Sequence, residues 1–121
     1  MKVLVVDDSS TMRLILKNIL REVDYTDVVQ ARDGNEALEV LGREAGIGLI
    51  LADWHMPNMD GLSLLEAVQS NNKTKDIPFI MVTTQAERKS VETAITKGAS
   101  SYVVKPFTPE VLKEKIDEVL A

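Results

Sequence analysis

The stretch that decides the fold is LILADWHMPNMDG, residues 49–61, in which an apolar run ends on an aspartate, Asp53. The same arrangement occurs near the N-terminus, where KVLVV at residues 2–6 leads directly into Asp7 and Asp8. Compact apolar runs rich in β-branched residues predict buried strands. Two strands that each end on carboxylates raise the question of what those charged ends do together.

The rest of the chain alternates between strand-like runs and segments with the apolar spacing of one helix face. Strands are predicted at residues 2–6, 27–31, 48–52, 77–82 and 101–104. The signals expected at helix starts are residues 9–11, Asp60 and Pro109, and those expected at helix ends are residues 71–72 and Gly98. The Asp33–Gly34 pair is predicted as a turn of the chain.

Strict alternation of five strands and five helices predicts an α/β fold, (βα)5, with a doubly wound parallel sheet. The first, third and fourth strands are nearly all apolar, as expected for strands covered on both faces. The common order for such a five-stranded, flavodoxin-like sheet is 2-1-3-4-5, with the ligand crevice at the carboxyl ends of strands 1 and 3. No linker or repeat divides the chain, so a single domain over residues 1–121 is predicted.

Composition narrows the function classes. The net charge is -5, which argues against a basic nucleic-acid-binding surface. The chain has no cysteine, so disulfides and cysteine-ligated zinc are excluded, and no apolar run approaches the ~20 residues of a membrane span. We therefore expect a cytoplasmic, monomeric protein that binds neither nucleic acid nor membrane.

Under the predicted strand order, Asp7, Asp8 and Asp53 lie at neighbouring strand ends. Adjacent strands are about 5 Å apart, and two carboxylates at that distance repel by roughly 3 kcal/mol at an effective dielectric near 20. One explanation is that Asp8 or Ser9 simply caps the first helix. The other is a hard divalent cation, and a few partly hydrated oxygen ligands suit Mg2+ better than Ca2+.

Two further residues complete the predicted crevice. Thr83 follows the fourth strand and Lys105 follows the fifth. Singly, such a threonine is typical of a helix cap and such a lysine of a solvated surface. Together with the carboxylates, a hydroxyl and an ammonium suit a phosphoryl group. Asp53 is then the candidate nucleophile, because a carboxylate can form an aspartyl-phosphate.

Four separated motifs occur in order: VVDDSS (5–10), LADWHMPNMDG (51–61), MVTT (81–84) and YVVKPF (102–107). With them the chain resembles the receiver domain of two-component response regulators, most closely the chemotaxis regulators of the CheY type. The resemblance runs from residue 2 to the end. It implies a phospho-accepting signalling domain that assists only its own phosphorylation and dephosphorylation, rather than an enzyme with a separate substrate.

The resemblance also implies roles for the site residues. Asp53 would accept phosphate from a histidine kinase of the CheA type. Asp8 and Asp53 would be side-chain ligands of Mg2+, Asp7 would act through water, and the backbone carbonyl of His55 would be the third protein ligand.

The remaining site roles follow from the same likeness. Thr83 and Lys105 would bind the phosphoryl group, and the Lys105–Pro106 peptide would be cis. The side chains of His55 and Gln85 stand where the family tunes dephosphorylation, and they depart from the usual chemotaxis residues. A catalytic role for the imidazole is open, as is a ring that points outward.

The implied output is a surface formed by the fourth helix, fifth strand and fifth helix. Its residues would be Val91, Ile95, Ala99, Tyr102, Val104 and Lys115. Tyr102 would turn inward when Thr83 moves toward the phosphoryl group, and a flagellar motor switch protein of the FliM type would bind the altered surface. A phosphatase is a further possible partner. Helical spacing alone also allows Val91 and Ile95 to belong to the core.

Other functions remain open at this point. A receiver of another phosphorelay, or of a transcription regulator, fits the same motifs, although we expect no output domain beyond Ala121. An aspartate-nucleophile phosphatase of the haloacid-dehalogenase type would need an acid two residues after the nucleophile, where His55 stands. A flavin-binding module would place a phosphate against Asp7 and Asp8, which would repel it.

Overall fold

The computed structural model describes residues 1–121 as five strands alternating with five helices. The strands are β1 (Lys2–Val6), β2 (Asp27–Ala31), β3 (Ile47–Ala52), β4 (Phe79–Thr83) and β5 (Ser101–Val104). The helices are α1 (Ser10–Glu22), α2 (Gly34–Arg43), α3 (Gly61–Ser70), α4 (Arg88–Thr96) and α5 (Pro109–Leu120). The predicted (βα)5 alternation is confirmed.

All five strands form one parallel sheet in the predicted order β2-β1-β3-β4-β5. Strand β1 pairs on both sides, with β2 and with β3, so that Val6 lies opposite Ala31 and Ala52. Beyond this register, the Asp53 amide donates to the Val6 carbonyl at 3.0 Å. The residues that follow β1 and β3 are therefore held side by side at one end of the sheet.

Helices cover both faces of the sheet. On one face α1 and α5 contribute Leu16, Leu20, Leu112 and Ile116 to a core of 11 buried residues. On the other face α2, α3 and α4 pack against a core of 15 buried residues. Strands β1, β3 and β4 are therefore buried from both sides. None of the helices has the length and hydropathy required to cross a membrane.

Two sequence predictions need correction. The fourth strand begins at Phe79 rather than at residue 77. Ile77 instead donates to Thr74 in the preceding turn, and Pro78 has no N–H, although its carbonyl accepts from Ile50. The Asp33–Gly34 pair is a helix start rather than a free turn, because the Asp33 side chain caps α2.

The other predicted helix signals are confirmed. Ser9 and Asp60 each accept a backbone N–H as N-caps of α1 and α3, and Pro109 opens α5, whose N-cap, Thr108, was not predicted. Gly98 follows α4 with a φ of +116°, a left-handed conformation that favours glycine.

Candidate functional site

Three carboxylates gather at the carboxyl ends of β1 and β3. Ligand oxygens of Asp7, Asp8 and Asp53 all lie within 4.8 Å of one another. They differ in exposure: Asp7 is buried, Asp53 is partly buried and Asp8 is exposed. The cluster thus has a closed inner side and an open outer side, which leaves room for a small ion or group to approach from solvent.

The only cation paired with this cluster is the ammonium of Lys105. Its Nζ lies 2.8 Å from Asp7 Oδ2 and 3.1 Å from Asp53 Oδ2. Burial alone would lower the pKa of Lys105, but hydrogen bonds and charge from Asp7 and Asp53 outweigh it and raise the pKa. The ammonium therefore stays protonated at neutral pH and neutralises part of the cluster.

Backbone amides fix the two inner carboxylates in place. Asp7 Oδ1 accepts the Ser9 amide at 2.9 Å, and Asp53 Oδ1 accepts the Trp54 amide at 2.7 Å. Arg13 also donates to the Asp7 backbone carbonyl. The Oδ2 atoms of Asp7 and Asp53 both accept from Lys105, so both oxygens of each carboxylate are hydrogen-bonded within the protein. The orientation of the two carboxylates is therefore set before any ligand binds.

The donor set fits a hard divalent cation. All three side chains offer carboxylate oxygens, the class of ligand that Mg2+ prefers, and the cluster is too small for a full protein cage. Lys105 offsets the charge of Asp7 and Asp53, whereas Asp8 forms no salt bridge. One ammonium offsets only one of the three carboxylate charges, so the cluster keeps a net negative charge, and a partly hydrated ion would approach it from the side of the exposed, unpaired Asp8.

A short chain of hydrogen bonds joins Thr83 to Tyr102 through residue 85. Thr83 is fully buried as the last residue of β4, and its Oγ1 accepts the Gln85 amide at 3.3 Å. The Tyr102 hydroxyl donates to the Gln85 carbonyl at 2.5 Å. Burial, together with the charge of Asp53, raises the pKa of Tyr102, so the phenol keeps its proton. Thr83 and Tyr102 are therefore connected through one peptide segment.

The predicted position of Thr83 is refined by this arrangement. The sequence suggested a hydroxyl at the open rim of the crevice, but the residue is fully buried within β4. Lys105 lies beside it, since its amide donates to the Thr83 carbonyl at 2.8 Å. The Lys105–Pro106 peptide is cis, as the family resemblance implied.

A second connection crosses the mouth of the site. The His55 ring nitrogen Nε2 lies 3.0 Å from Gln85 Oε1, and Gln85 Nε2 donates to Ser90 Oγ at 3.2 Å. The exposed His55 ring is therefore tied to the loop after β4 and to the first turns of α4. The family resemblance implied a shared tuning role for His55 and Gln85, and the structure adds a direct contact between their side chains.

The predicted output surface is exposed in part. Ile95 and Val104 are 46% and 39% exposed, which places them on the surface rather than in the core. Val91 and Lys115 are partly buried, and Lys115 pairs with Glu118 at 3.8 Å. Ala99 is corrected: it is only 6% exposed and packs in the core beneath α4, so its side chain offers no contact surface.

The loop between β3 and α3 carries features that the sequence reading missed. A Cβ on Gly61 would lie 2.1 Å from the Asp53 carbonyl oxygen, so only glycine allows the loop to close here. Asp33 contacts the same loop through Asn58. The sequence did contain a signal for the helix start, because Asp33-x-x-Glu36 is a typical pattern of a helix N-terminus. That pattern gives no indication of the contact with Asn58.

The comparison with family models agrees with this geometry. The model described as "Response regulator receiver domain" matches residues 3–117. The chain belongs to this family. The resemblance seen in the four sequence motifs is thereby confirmed.

Relatives that resemble this receiver over nearly its whole length carry chemotaxis names. It is 51% identical over 120 residues to "Chemotaxis protein CheY1" of Helicobacter pylori, covering 99% of this chain and 97% of the relative. It is 48% identical to "Chemotaxis protein CheY homolog" of Campylobacter jejuni, covering 99% and 92%. "Chemotaxis protein CheY" of Pseudomonas aeruginosa is 45% identical, with 98% and 95% covered.

Solved receiver structures share the fold. Chemotaxis protein CheY4 of Vibrio cholerae matches with a TM-score of 0.89 at 34% identity, covering 98% of this chain and 97% of that one. A response regulator of Chloroflexus aurantiacus matches with a TM-score of 0.91 at 30% identity, covering 98% and 96%. The (βα)5 receiver fold extends over the entire described chain.

Proposed function

We propose that residues 1–121 form one receiver domain of a chemotaxis response regulator, which accepts a phosphoryl group on Asp53 from a histidine kinase of the CheA type. The reaction requires Mg2+. The phosphorylated form binds a flagellar motor switch protein of the FliM type through the surface of α4, β5 and α5. The protein acts in the cytoplasm as a monomer, and a phosphatase is a further partner.

The observation that carries this proposal is the double contact of Lys105 with Asp53 and Asp7 beside the free charge of Asp8. A carboxylate nucleophile, a positioned ammonium and an oxygen-rich cation site in one crevice are the parts that acyl phosphate formation needs. The names of the relatives support the chemotaxis role, which is carried over by similarity.

Each residue of the site then has a role. Asp53 supplies the carboxylate oxygen that attacks phosphorus, and the P–N bond to the phosphohistidine of the kinase breaks, with the imidazole as leaving group. Asp8, Asp53 and the His55 backbone carbonyl would hold Mg2+, with Asp7 acting through water, and the metal would supply charge neutralisation for the phosphoryl oxygens. Lys105 transfers its contact from the Asp53 carboxylate to a phosphoryl oxygen, which keeps the ammonium paired throughout. The Thr83 hydroxyl binds another phosphoryl oxygen.

The output is proposed to depend on the link from Thr83 through Gln85 to Tyr102. Movement of Thr83 toward the phosphoryl group breaks its bond with the Gln85 amide, and this changes the segment on which the Tyr102 hydroxyl rests. Exposed apolar side chains at Ile95 and Val104 suit the apolar face of a docking helix.

The hydrogen bond between His55 and Gln85 is proposed to tune the lifetime of the phosphorylated state. It places two polar side chains across the open side of the crevice, where a hydrolytic water would enter. We assign these residues to control of dephosphorylation rather than to proton transfer.

The test of this function is transfer from an autophosphorylated kinase. A radiolabelled chemotaxis kinase of the same organism should pass its label to this protein faster than kinases of that organism's transcription-regulating pairs do. Preferential labelling by one of those other kinases would contradict the chemotaxis role and favour a different phosphorelay.

Magnesium should stabilise the folded protein. At a hundred times its Kd, a ligand that binds only the folded state adds about 2.7 kcal/mol, which for a domain of this size raises the Tm by about 10 °C. Asp8→Asn should raise the Tm in the absence of metal, because it removes the one carboxylate of the cluster without a cationic partner. It should also reduce the rise that Mg2+ causes.

Thermal melts with and without Mg2+ measure both effects. Asp76→Asn is the matched control, since this exposed aspartate precedes the amino end of β4, whereas the carboxylate cluster follows the carboxyl ends of β1 and β3. Identical melting curves with and without Mg2+ for the wild type would refute the metal site.

A further inference from the structure

Asp33 is a buried carboxylate that the proposed mechanism does not use. It is 6% exposed and forms no salt bridge. Its two oxygens serve two different elements: Oδ1 accepts the Glu36 amide of α2 at 2.8 Å, and Oδ2 accepts Asn58 Nδ2 at 2.8 Å. Asn58 lies in the loop that follows the phosphoacceptor strand β3, so Asp33 links α2 to that loop.

Capping a helix does not explain both contacts. Asp60 caps α3 with one oxygen, through the Ser63 amide at 2.8 Å. The cap bond from the Glu36 amide, followed by the bond from Asn58, lowers the pKa of Asp33, so the group is ionised at neutral pH. The bond from Asn58 is therefore a charge-assisted one, which is stronger than a bond between neutral groups.

Two more contacts hold the loop at the same place. The Gly34 amide donates to the Met59 carbonyl at 3.1 Å. A Cβ on Gly34 would lie 2.6 Å from Met59 Cγ, so the loop rests directly on the first turn of α2. Asn58 itself has a φ of +68°, a left-handed conformation that asparagine adopts more readily than most other non-glycine residues.

The loop is also fixed at its other end. The Gly61 amide donates to the Trp54 carbonyl at 2.8 Å, next to Asp53. His55 lies between the two attachment points, so its backbone has contacts on both sides that limit how it moves. The proposed carbonyl ligand of Mg2+ thus belongs to a loop anchored at Trp54 and at Asn58.

We propose that the Asp33–Asn58 hydrogen bond is a latch that preorganises loop 54–59 for cation binding. Asp33 and Asn58 are positioning residues: they touch neither the metal nor the phosphoryl group, and they hold the loop that presents the His55 carbonyl. Without the latch, binding Mg2+ would also have to order the loop, and this cost would weaken the affinity. The inference rests on the proposed function, since it assigns a support to the same metal site.

Two single variants break the latch while preserving local structure. Asn58→Gly removes the amide side chain and suits the left-handed backbone. Asp33→Ser keeps an N-cap for α2 but removes the oxygen that Asn58 contacts. Each should weaken Mg2+ binding about tenfold, the lower end of the range for partners that orient metal ligands. The readout is a Mg2+ titration followed by the NMR shifts of backbone amides.

Two double variants distinguish loss of the Asp33–Asn58 hydrogen bond from nonspecific destabilisation of the fold. Asp33→Ser with Asn58→Gly should weaken Mg2+ binding no more than either single change, because both remove the same bond. Asp33→Asn with Asn58→Asp exchanges donor and acceptor and should restore most of the affinity. Asn71→Gly is the control, since this exposed asparagine lies after α3, away from the site, and should bind Mg2+ as the wild type does.

The outcomes distinguish the two proposals. If the Asp33–Asn58 bond only stabilises the fold, the single variants will have a lower Tm but an unchanged Mg2+ affinity. That result overturns the inference. Failure of the exchanged pair to recover affinity would also overturn it. Absence of Mg2+ binding in the wild type would instead remove the metal site of the proposed function, and the latch with it.

Discussion

Asp53→Asn is expected to abolish phosphorylation of this receiver. With Mg2+ and acetyl phosphate, the wild type should take up label, because its own site supplies the metal and the Lys105 ammonium that activate the donor. Asparagine keeps the size of the side chain and can still accept the Trp54 amide, but its amide nitrogen is not a nucleophile. The loss should be complete rather than partial, since no other carboxylate contacts both Lys105 and a backbone amide except the buried Asp7.

Incorporation of label, measured by mass spectrometry of the intact protein, checks this expectation. Asp76→Asn is again the matched control and should be labelled as the wild type is. A thermal melt of Asp53→Asn should show a folded protein, because Lys105 keeps its contact with Asp7. Label that persists on the Asp53→Asn variant would assign the acceptor to another residue.

The placement of the carboxylates could be predicted from the sequence because it follows from the sheet. Apolar runs that end on Asp7 and Asp53 predict two buried strands, and βα alternation predicts that they are parallel neighbours. The register then brings the two residues side by side, as the bond between the Asp53 amide and the Val6 carbonyl shows. Here local pattern and topology give the same answer.

Boundaries and surface assignments were less predictable, for physical reasons. Ile77 and Pro78 extend the apolar run of β4, but strand pairing depends on available N–H groups as well as on hydropathy. Ile95 and Ala99 are four residues apart, yet one is exposed and the other buried, because α4 ends between them and the chain turns inward. The spacing of apolar residues alone cannot show that α4 ends between Ile95 and Ala99.

Contacts between distant loops could not be predicted at all. An Asp-Gly pair is typical of turns and also of helix starts, and only the packed structure shows that Asp33 caps α2. Its bond to Asn58 spans 25 residues, and the contact between His55 and Gln85 spans 30. Such pairs are brought together by tertiary packing, and no spacing rule for a single element describes them.

Thr83→Ala is expected to uncouple phosphorylation from partner binding. In the wild type, beryllofluoride on Asp53, as a mimic of the phosphoryl group, should strengthen binding of a motor switch peptide by 5–150-fold, the range for coupling energies of about 1–3 kcal/mol. Thr83→Ala removes the hydroxyl that accepts the Gln85 amide. Phosphorylation of Asp53 then has no hydroxyl to move, so it no longer changes the segment that the Tyr102 hydroxyl contacts. The ratio of affinities with and without the mimic should fall toward one.

Peptide affinity by fluorescence anisotropy, in four combinations of protein and mimic, measures the coupling directly. Thr84→Ala is the control, because this neighbouring threonine is exposed and should keep the wild-type ratio. Reciprocity requires that the peptide favour phosphorylation by the same factor, so labelling with acetyl phosphate offers an independent measurement. Equal peptide affinity in both wild-type states would exclude the α4–β5–α5 surface as the switch. A wild-type ratio retained by Thr83→Ala would leave that surface in place and remove Thr83 from the path, since a group that carries the coupling must differ in its contacts between the two states.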